Sequence, residues 1–212
     1  MNNAVKQPCR QEPSPRQQER RDAIVAAARR SFLDKGYAAT SMSGLLDSVG
    51  GSKATLWGYF RSKEELFAAV IEDLTASFRQ QIETDLLTPG VMEETLVQFC
   101  RSFVRRLTCP DGVATWRLIM AESNRFPEVG RIFYQEAAGR IERVLASYLQ
   151  QQIDSGRLRD EGALDMARLL MGMHKAGLNR RLWGVEPADG TDAEAEARKF
   201  VGYFLRLFAL PG

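Results

Sequence analysis

The chain has 212 residues, 44% of them apolar and 26% charged, and a formal net charge of +2. That apolar content excludes a disordered chain and is enough for one large or two modest cores; three cysteines (Cys9, Cys100, Cys109) without a C-x-x-C spacing exclude a disulfide scaffold or thiolate zinc site and fit a reducing cytoplasm. One histidine, His174, removes most His-based designs, and no run approaches the about 18 apolar residues that span a bilayer, so no catalytic residue, metal, cofactor or membrane partner is expected.

The start, MNNAVKQPCRQ, lacks the apolar segment of a secretion signal, and a cytoplasmic protein is expected. Divided along the chain, the charge is uneven. Residues 1–62 hold ten Lys/Arg against five Asp/Glu, a net +5, and residues 63–212 hold nineteen against twenty-two, a net −3. The basic first third points to a polyanionic partner, with nucleic acid the first candidate and a membrane surface the second.

Ala and Leu number 46 against 19 Val and Ile, and hairpin dipeptides between alternating runs are missing, so the predicted fold is all-α. Residues 1–16, with Pro8, Pro13 and Pro15, read as a flexible tail. A first helix is predicted over about 18–35, from the spacing of Ile24, Ala28 and Phe32 beside Ala27, with Gly36 as its stop. Two short helices follow. Thr40 or Ser41 caps the first, which turns Met42, Leu45 and Leu46 inward; Gly50-Gly51 breaks it; Ser52 caps the second. A short glycine turn between them lets the helices cross steeply, the spacing of a helix–turn–helix. Ser62-Lys63-Glu64-Glu65 forms a capping box that opens a long helix with Leu66, Val70, Leu74, Phe78 and Ile82 at i+4 and Phe67 and Ile71 beside them.

Arg21, Ala28, Phe32, Gly36-Tyr37, Thr40-Ser41, Gly50, Ser52-Lys53, Thr55-Leu56, Tyr59-Phe60 and Ser62 to Leu66 stand at fixed offsets over about 50 residues. This run resembles the DNA-binding domain of the TetR/AcrR family of bacterial transcriptional regulators. Leu46, Gly51 and Trp57 depart from it, standing where the family usually has a small residue, an apolar residue and a tyrosine. The resemblance implies a domain over 17–62 that enters the major groove, and residues at the start of its second short helix then face base edges. Ser52, Lys53, Ala54, Thr55 and Gly58 are the expected readers of sequence; Thr40, Ser41, Trp57, Tyr59 and Lys63 are the expected backbone anchors. Thr40 and Ser52 would be caps in any protein.

Residues 63–212 are expected to form a larger helical domain, with helices near 91–108, 112–124, 127–155, 163–183 and 192–209. Breaks fall at Pro89-Gly90, Pro110, Pro127, Gly156 and Pro187, and a second capping box at Thr191 to Glu194. Trp116 to Glu122, Arg125 to Glu128 and Phe133-Tyr134 are similar to the AefR-like branch of the family, which implies a small-molecule pocket and a homodimer. Phe99, Phe103, Trp116, Met120, Phe133, Met171, His174 and Trp183 are the pocket candidates, each taken singly more readily read as core. Cys100 and Cys109 lack a basic cluster that would make a redox sensor. Leu164, Ala167, Met171, Leu178, Phe200, Phe204, Leu207 and Phe208, on the last two helices, carry more apolar surface than one chain is expected to cover and are the candidate dimer interface.

The expected function is a cytoplasmic repressor that binds a pseudo-palindromic double-stranded DNA operator as a homodimer and is released by an unidentified small-molecule effector. The alternative is a DNA-binding regulator without such an effector, controlled by a partner or by abundance; a C-terminal core without a cavity would favour it. An all-α enzyme finds no support in the residues available.

Overall fold

The computed structural model describes residues 14–50, 52–185 and 192–211; residues 1–13 of the expected tail, Gly51, Pro187 and Thr191 lie outside them. The helices are α1 Pro15–Ala39, α2 Met42–Val49, α3 Lys53–Tyr59, α4 Lys63–Leu87, α5 Met92–Thr108, α6 Pro110–Glu122, α7 Pro127–Phe133, a π-helical turn at Tyr134–Ala138, α8 Gly139–Asp154, α9 Ala163–Leu182 and α10 Ala193–Phe208. The fold is all-α, and among the described residues the one β-type pairing is an isolated bridge between Leu158 and Ala209.

Helix α1 begins at Pro15, earlier than expected, because Ser14 caps it. The Ser14 hydroxyl accepts the Gln17 N–H at 3.4 Å while the Gln17 side chain accepts the Ser14 N–H at 2.8 Å. Residues 14–16 are therefore the cap and first turn of a helix. Gly36 interrupts the helix with φ 85° and ψ 169°, a conformation other residues rarely adopt, and helical backbone resumes through Ala39. Helices α2 and α3, of eight and seven residues, are too short to persist alone. Their Met42, Leu45, Leu56 and Phe60 join Ile24, Ala28 and Phe32 of α1 in one core.

That core does not end at residue 62. It takes in Leu66, Phe67, Val70, Ile71 and Leu74 of α4, Leu118 and Ile119 of α6, and Val129 and Ile132 of α7. Phe78, Ile82 and Leu86, farther along α4, belong to a second core with α5, α8, α9 and α10. Helix α4 thus runs through both, and a boundary after residue 62 separates the helix–turn–helix from the helices that complete its core.

The single helix expected over 127–155 is α7 and α8 joined by the π-helical turn. Across that wider turn the Tyr134 hydroxyl donates to the buried Glu142 carboxylate at 3.0 Å, and Arg168 of α9 donates to the same group at 3.3 Å. Asp192 caps α10 by accepting the Glu194 and Ala195 N–H groups at 3.1 and 3.0 Å. The far end of α10 is pinned to the loop before α9, where Arg159 N–H donates to Phe208 O at 2.8 Å and Leu210 N–H to Arg157 O at 3.0 Å.

The expected dimer stripe needs correcting. Ala167, Met171, Leu178 and Phe204 are buried within one chain, because α5 and α8 cover the faces of α9 and α10 that carry them. Phe200 and Phe208 are half-buried. Leu164 and Leu207 remain outward, 37% and 53% exposed, alongside Leu169 and Tyr203 at 42% and 40%.

Candidate DNA interface and effector cleft

The turn between α2 and α3 is built by Gly50, whose φ of 68° closes α2 with its N–H on Leu46 O at 2.8 Å. Arg20 of α1 holds the turn in place. Its guanidinium donates to Val49 O at 3.0 Å and to Gly50 O, supplying cationic donors at the carbonyl end of α2. Leu56 and Phe60 are 2% and 1% exposed and seat α3, while Ser52, Lys53, Ala54, Thr55, Trp57 and Gly58 lie on its open side. Tyr59 is half-buried. Ser52 caps α3 through the Thr55 N–H at 3.2 Å, and its hydroxyl also meets the Thr55 hydroxyl at 2.9 Å.

The anchor set divides. Ser41 is exposed at the start of α2, where its hydroxyl accepts the Gly44 N–H at 3.0 Å. Thr40 is 2% exposed and its hydroxyl donates to Gly36 O at 2.9 Å, so the structure turns it into the interior of the head. Lys63 folds back from α4: Nζ lies 4.3 Å from the Tyr37 ring centroid and 3.4 Å from Ala38 O. Burial lowers its pKa, against the opposing pull of the Glu122, Glu64 and Glu128 carboxylates. Tyr37 is itself buried, in contact with Phe32, Phe67 and Phe126, and burial with the nearby Glu64 and Glu128 charges raises its phenol pKa well above the usual phenol value. The Glu65 side chain accepts the Arg61 N–H at 2.7 Å, one residue beyond the expected capping box, while Ser62 caps through the Glu65 N–H at 3.1 Å.

Glu122, at the last turn of α6, reaches the kink in α1. Its carboxylate accepts the Ala38 N–H at 3.1 Å, and a Cβ at Gly36 would stand 2.7 Å from the same oxygen. Arg29 of α1 adds ion pairs to Asp73 of α4, at 3.3 Å, and to Asp111 of α6. Neither Arg20 nor Glu122 was assigned a role from sequence, since their partners lie 29 to 30 and 84 positions away.

The other end of α6 lines a small cleft of about 50 Å³, partly open to solvent, between α4, α5, α6, α7, the π-helical turn, α8 and α9. Phe103, Trp116, Phe133 and Met171 are brought together there. Phe99 lies behind Phe103, stacked at 6.1 Å between centroids, and is core. His174 is core too, set edge-on to Phe200 at 5.0 Å, with Nδ1 3.6 Å from Glu196 Oε1. Met120 and Trp183 are 68% and 73% exposed: α6 turns Thr115, Leu118 and Ile119 inward and so carries Met120 out, and Trp183 lies past the end of α9. Sequence reasoning missed Phe78, Ile141, Arg106 and Lys175, which complete the wall. Cys100 is buried, which pushes its thiol pKa far up, and the half-buried Cys109 Sγ accepts the Gly112 N–H at 3.3 Å.

A profile described as bacterial regulatory proteins of the tetR family matches residues 24–70, and one described as the AefR-like transcriptional repressor C-terminal domain matches residues 94–209. The chain belongs to the TetR family. TetR-family structures share its whole course: one from Mesorhizobium loti superposes with a TM-score of 0.79 at 26% identity, covering 93% of this chain and 100% of that one. The flavonoid-responsive regulator FrrA superposes with a TM-score of 0.78 at 29% identity, covering 92% and 100%. Among curated TetR-family relatives, BetI of Rhizobium meliloti is 33% identical over 114 residues, 53% of this chain and 56% of its own length, so the chain spans about half of that relative. The repressor AcnR of Corynebacterium diphtheriae is 27% identical over 147 residues, 69% of this chain and 72% of its own. Among the described residues no helix is long and apolar enough to cross a membrane.

Proposed function

We propose that this TetR-family chain is a ligand-responsive repressor that binds a two-fold DNA operator as a homodimer and leaves it when a small molecule enters the cleft. One observation carries the reading: α6 touches both sites. Gly112, Thr115 and Trp116 line the cleft, and Glu122, at the end of the same helix, holds the kink of the DNA-binding head. An effector that favours a different position of α6 would shift the head by its differential affinity for the two positions. The relatives support this reading, AcnR by its name as a repressor and FrrA by its name as a flavonoid-responsive regulator.

DNA selected from a random pool on the purified chain supplies an operator, and fluorescence anisotropy then measures its affinity across a small-molecule library. The account expects a duplex with two related half-sites and at least one compound that lowers affinity tenfold or more. Selection of a single half-site, or an affinity that no compound moves, would count against it.

A further inference from the structure

We propose that the effector is an aromatic anion, a planar ring system bearing one carboxylate or phenolate, with its ring among Phe78, Phe103, Trp116 and Phe133 and its charge met by Lys175 and Arg106. This rests on the reading of the cleft as the effector site and narrows it to a chemical class.

The cleft is lined by both these cations and by no carboxylate. Arg106 is half-buried, and the partners of its guanidinium are neutral: Leu74 O at 2.9 Å and the Cys109 sulfur at 3.4 Å. Lys175 is half-buried with Nζ 6.0 Å from the Trp116 ring centroid. Among the described residues neither side chain has an ion-pair partner within 4.0 Å, whereas Arg29, Arg101, Arg140, Arg168 and Arg198 all do. A cation drawn partly out of water without a carboxylate carries a desolvation cost that a bound anion offsets.

The other walls set the shape. Trp116 and Phe133 stand edge-to-face at 5.5 Å and Phe78 and Phe103 stack at 6.3 Å, so the wall offers aromatic faces and edges for a ring to pack on. The two lining threonines offer no free donor: Thr75 donates to Ile71 O at 2.8 Å and Thr115 to Asp111 O at 2.6 Å. The charge on the ligand is therefore read by Lys175 and Arg106. A cationic lipophile meets two like charges and no counterion.

Calorimetry of the full chain with 2-naphthoate, 2-naphthylmethanol, 2-naphthylmethylammonium and decanoate separates these terms. Naphthoate should bind at least tenfold more tightly than the alcohol and the ammonium, and more tightly than decanoate. Lys175→Met should weaken naphthoate about tenfold and leave the alcohol within twofold, and Ala138→Leu, which fills the cleft wall, should weaken both. Equal affinity for naphthoate and alcohol, with both weakened by Ala138→Leu, overturns the anion while leaving the cleft as the site. Decanoate binding best overturns the aromatic half. Binding that Ala138→Leu does not alter, or no binding at all, overturns the proposal together with the reading of the cleft.

Discussion

At the scale of single residues, Ser62 joins stability to pH. Its hydroxyl caps α4 and, with the backbone N–H of Glu64, holds the Glu64 carboxyl below the usual carboxylate range. A carboxyl depressed in the folded state adds stability above its unfolded value, about pH 4.3, and loses it as pH falls through the folded value. Ser62→Ala should cost about 1 kcal/mol at pH 7, and the gap to the parent in urea unfolding should narrow at pH 3; a gap that stays constant would mean that Glu64 takes no part. On the recognition helix, Lys53 and Thr55 are both exposed but differ in chemistry. Lys53→Gln removes a charge that can meet a phosphate as well as a base edge, so it should weaken binding to specific and random duplexes alike and lower the salt slope by about 1. Thr55→Val should change which operator bases are preferred. Both effects read out in anisotropy titrations across salt and sequence, and indistinguishable profiles for the two variants would contradict the division of roles.

At the scale of elements, much was legible and the reasons are local. Glycine between two short apolar patterns gave the turn at Gly50, and Met42 and Leu45 were readable as core from their spacing, because capping and periodicity act within a few residues. Thr40 and Ser41 were both readable as the cap of α2 for the same reason, since a hydroxyl before a helix signals a cap; Ser41 takes that place and Thr40 turns inward onto Gly36. The stripes of α9 and α10 show the limit. Periodicity tells that a face is covered and not by what, so Ala167, Met171 and Phe204 read as an interface although α5 and α8 of their own chain cover them. The clamp of Arg20 on the α2–α3 turn leaves no local trace in sequence. Arg20→Gln removes the cation from the carbonyl end of α2, a contribution of about 0.3–1 kcal/mol. Hydrogen exchange should then speed at Ser52 to Leu56 while α4 keeps its protection; unchanged exchange in α3 would show that Gly50 and the core suffice.

At the scale of the molecule, the net +2 is the sum of a basic head and a body of net −3, a division that would turn the head toward DNA and the body away from it. Reading two half-sites one helical turn apart, about 34–36 Å, needs two heads on a two-fold axis. We propose the outward Leu164, Leu169, Tyr203 and Leu207 of α9 and α10 as the apolar surface for that pairing. Sedimentation should give twice the chain mass for the parent and a folded monomer for Leu169→Glu with Leu207→Glu, which should also lose operator affinity at least a hundredfold. A double variant that remains a dimer would place the interface elsewhere.

The coupling through α6 is the centre of the account, and the operator affinity of Glu122→Ala, which removes the acceptor of the Ala38 N–H, tests it most directly. With a compound that calorimetry shows to occupy the cleft, the parent should lose at least tenfold in operator affinity. The variant should bind that compound equally well yet change its operator affinity by less than twofold. A variant that releases its operator as fully as the parent would contradict the claim that Glu122 joins the cleft to the DNA-binding head.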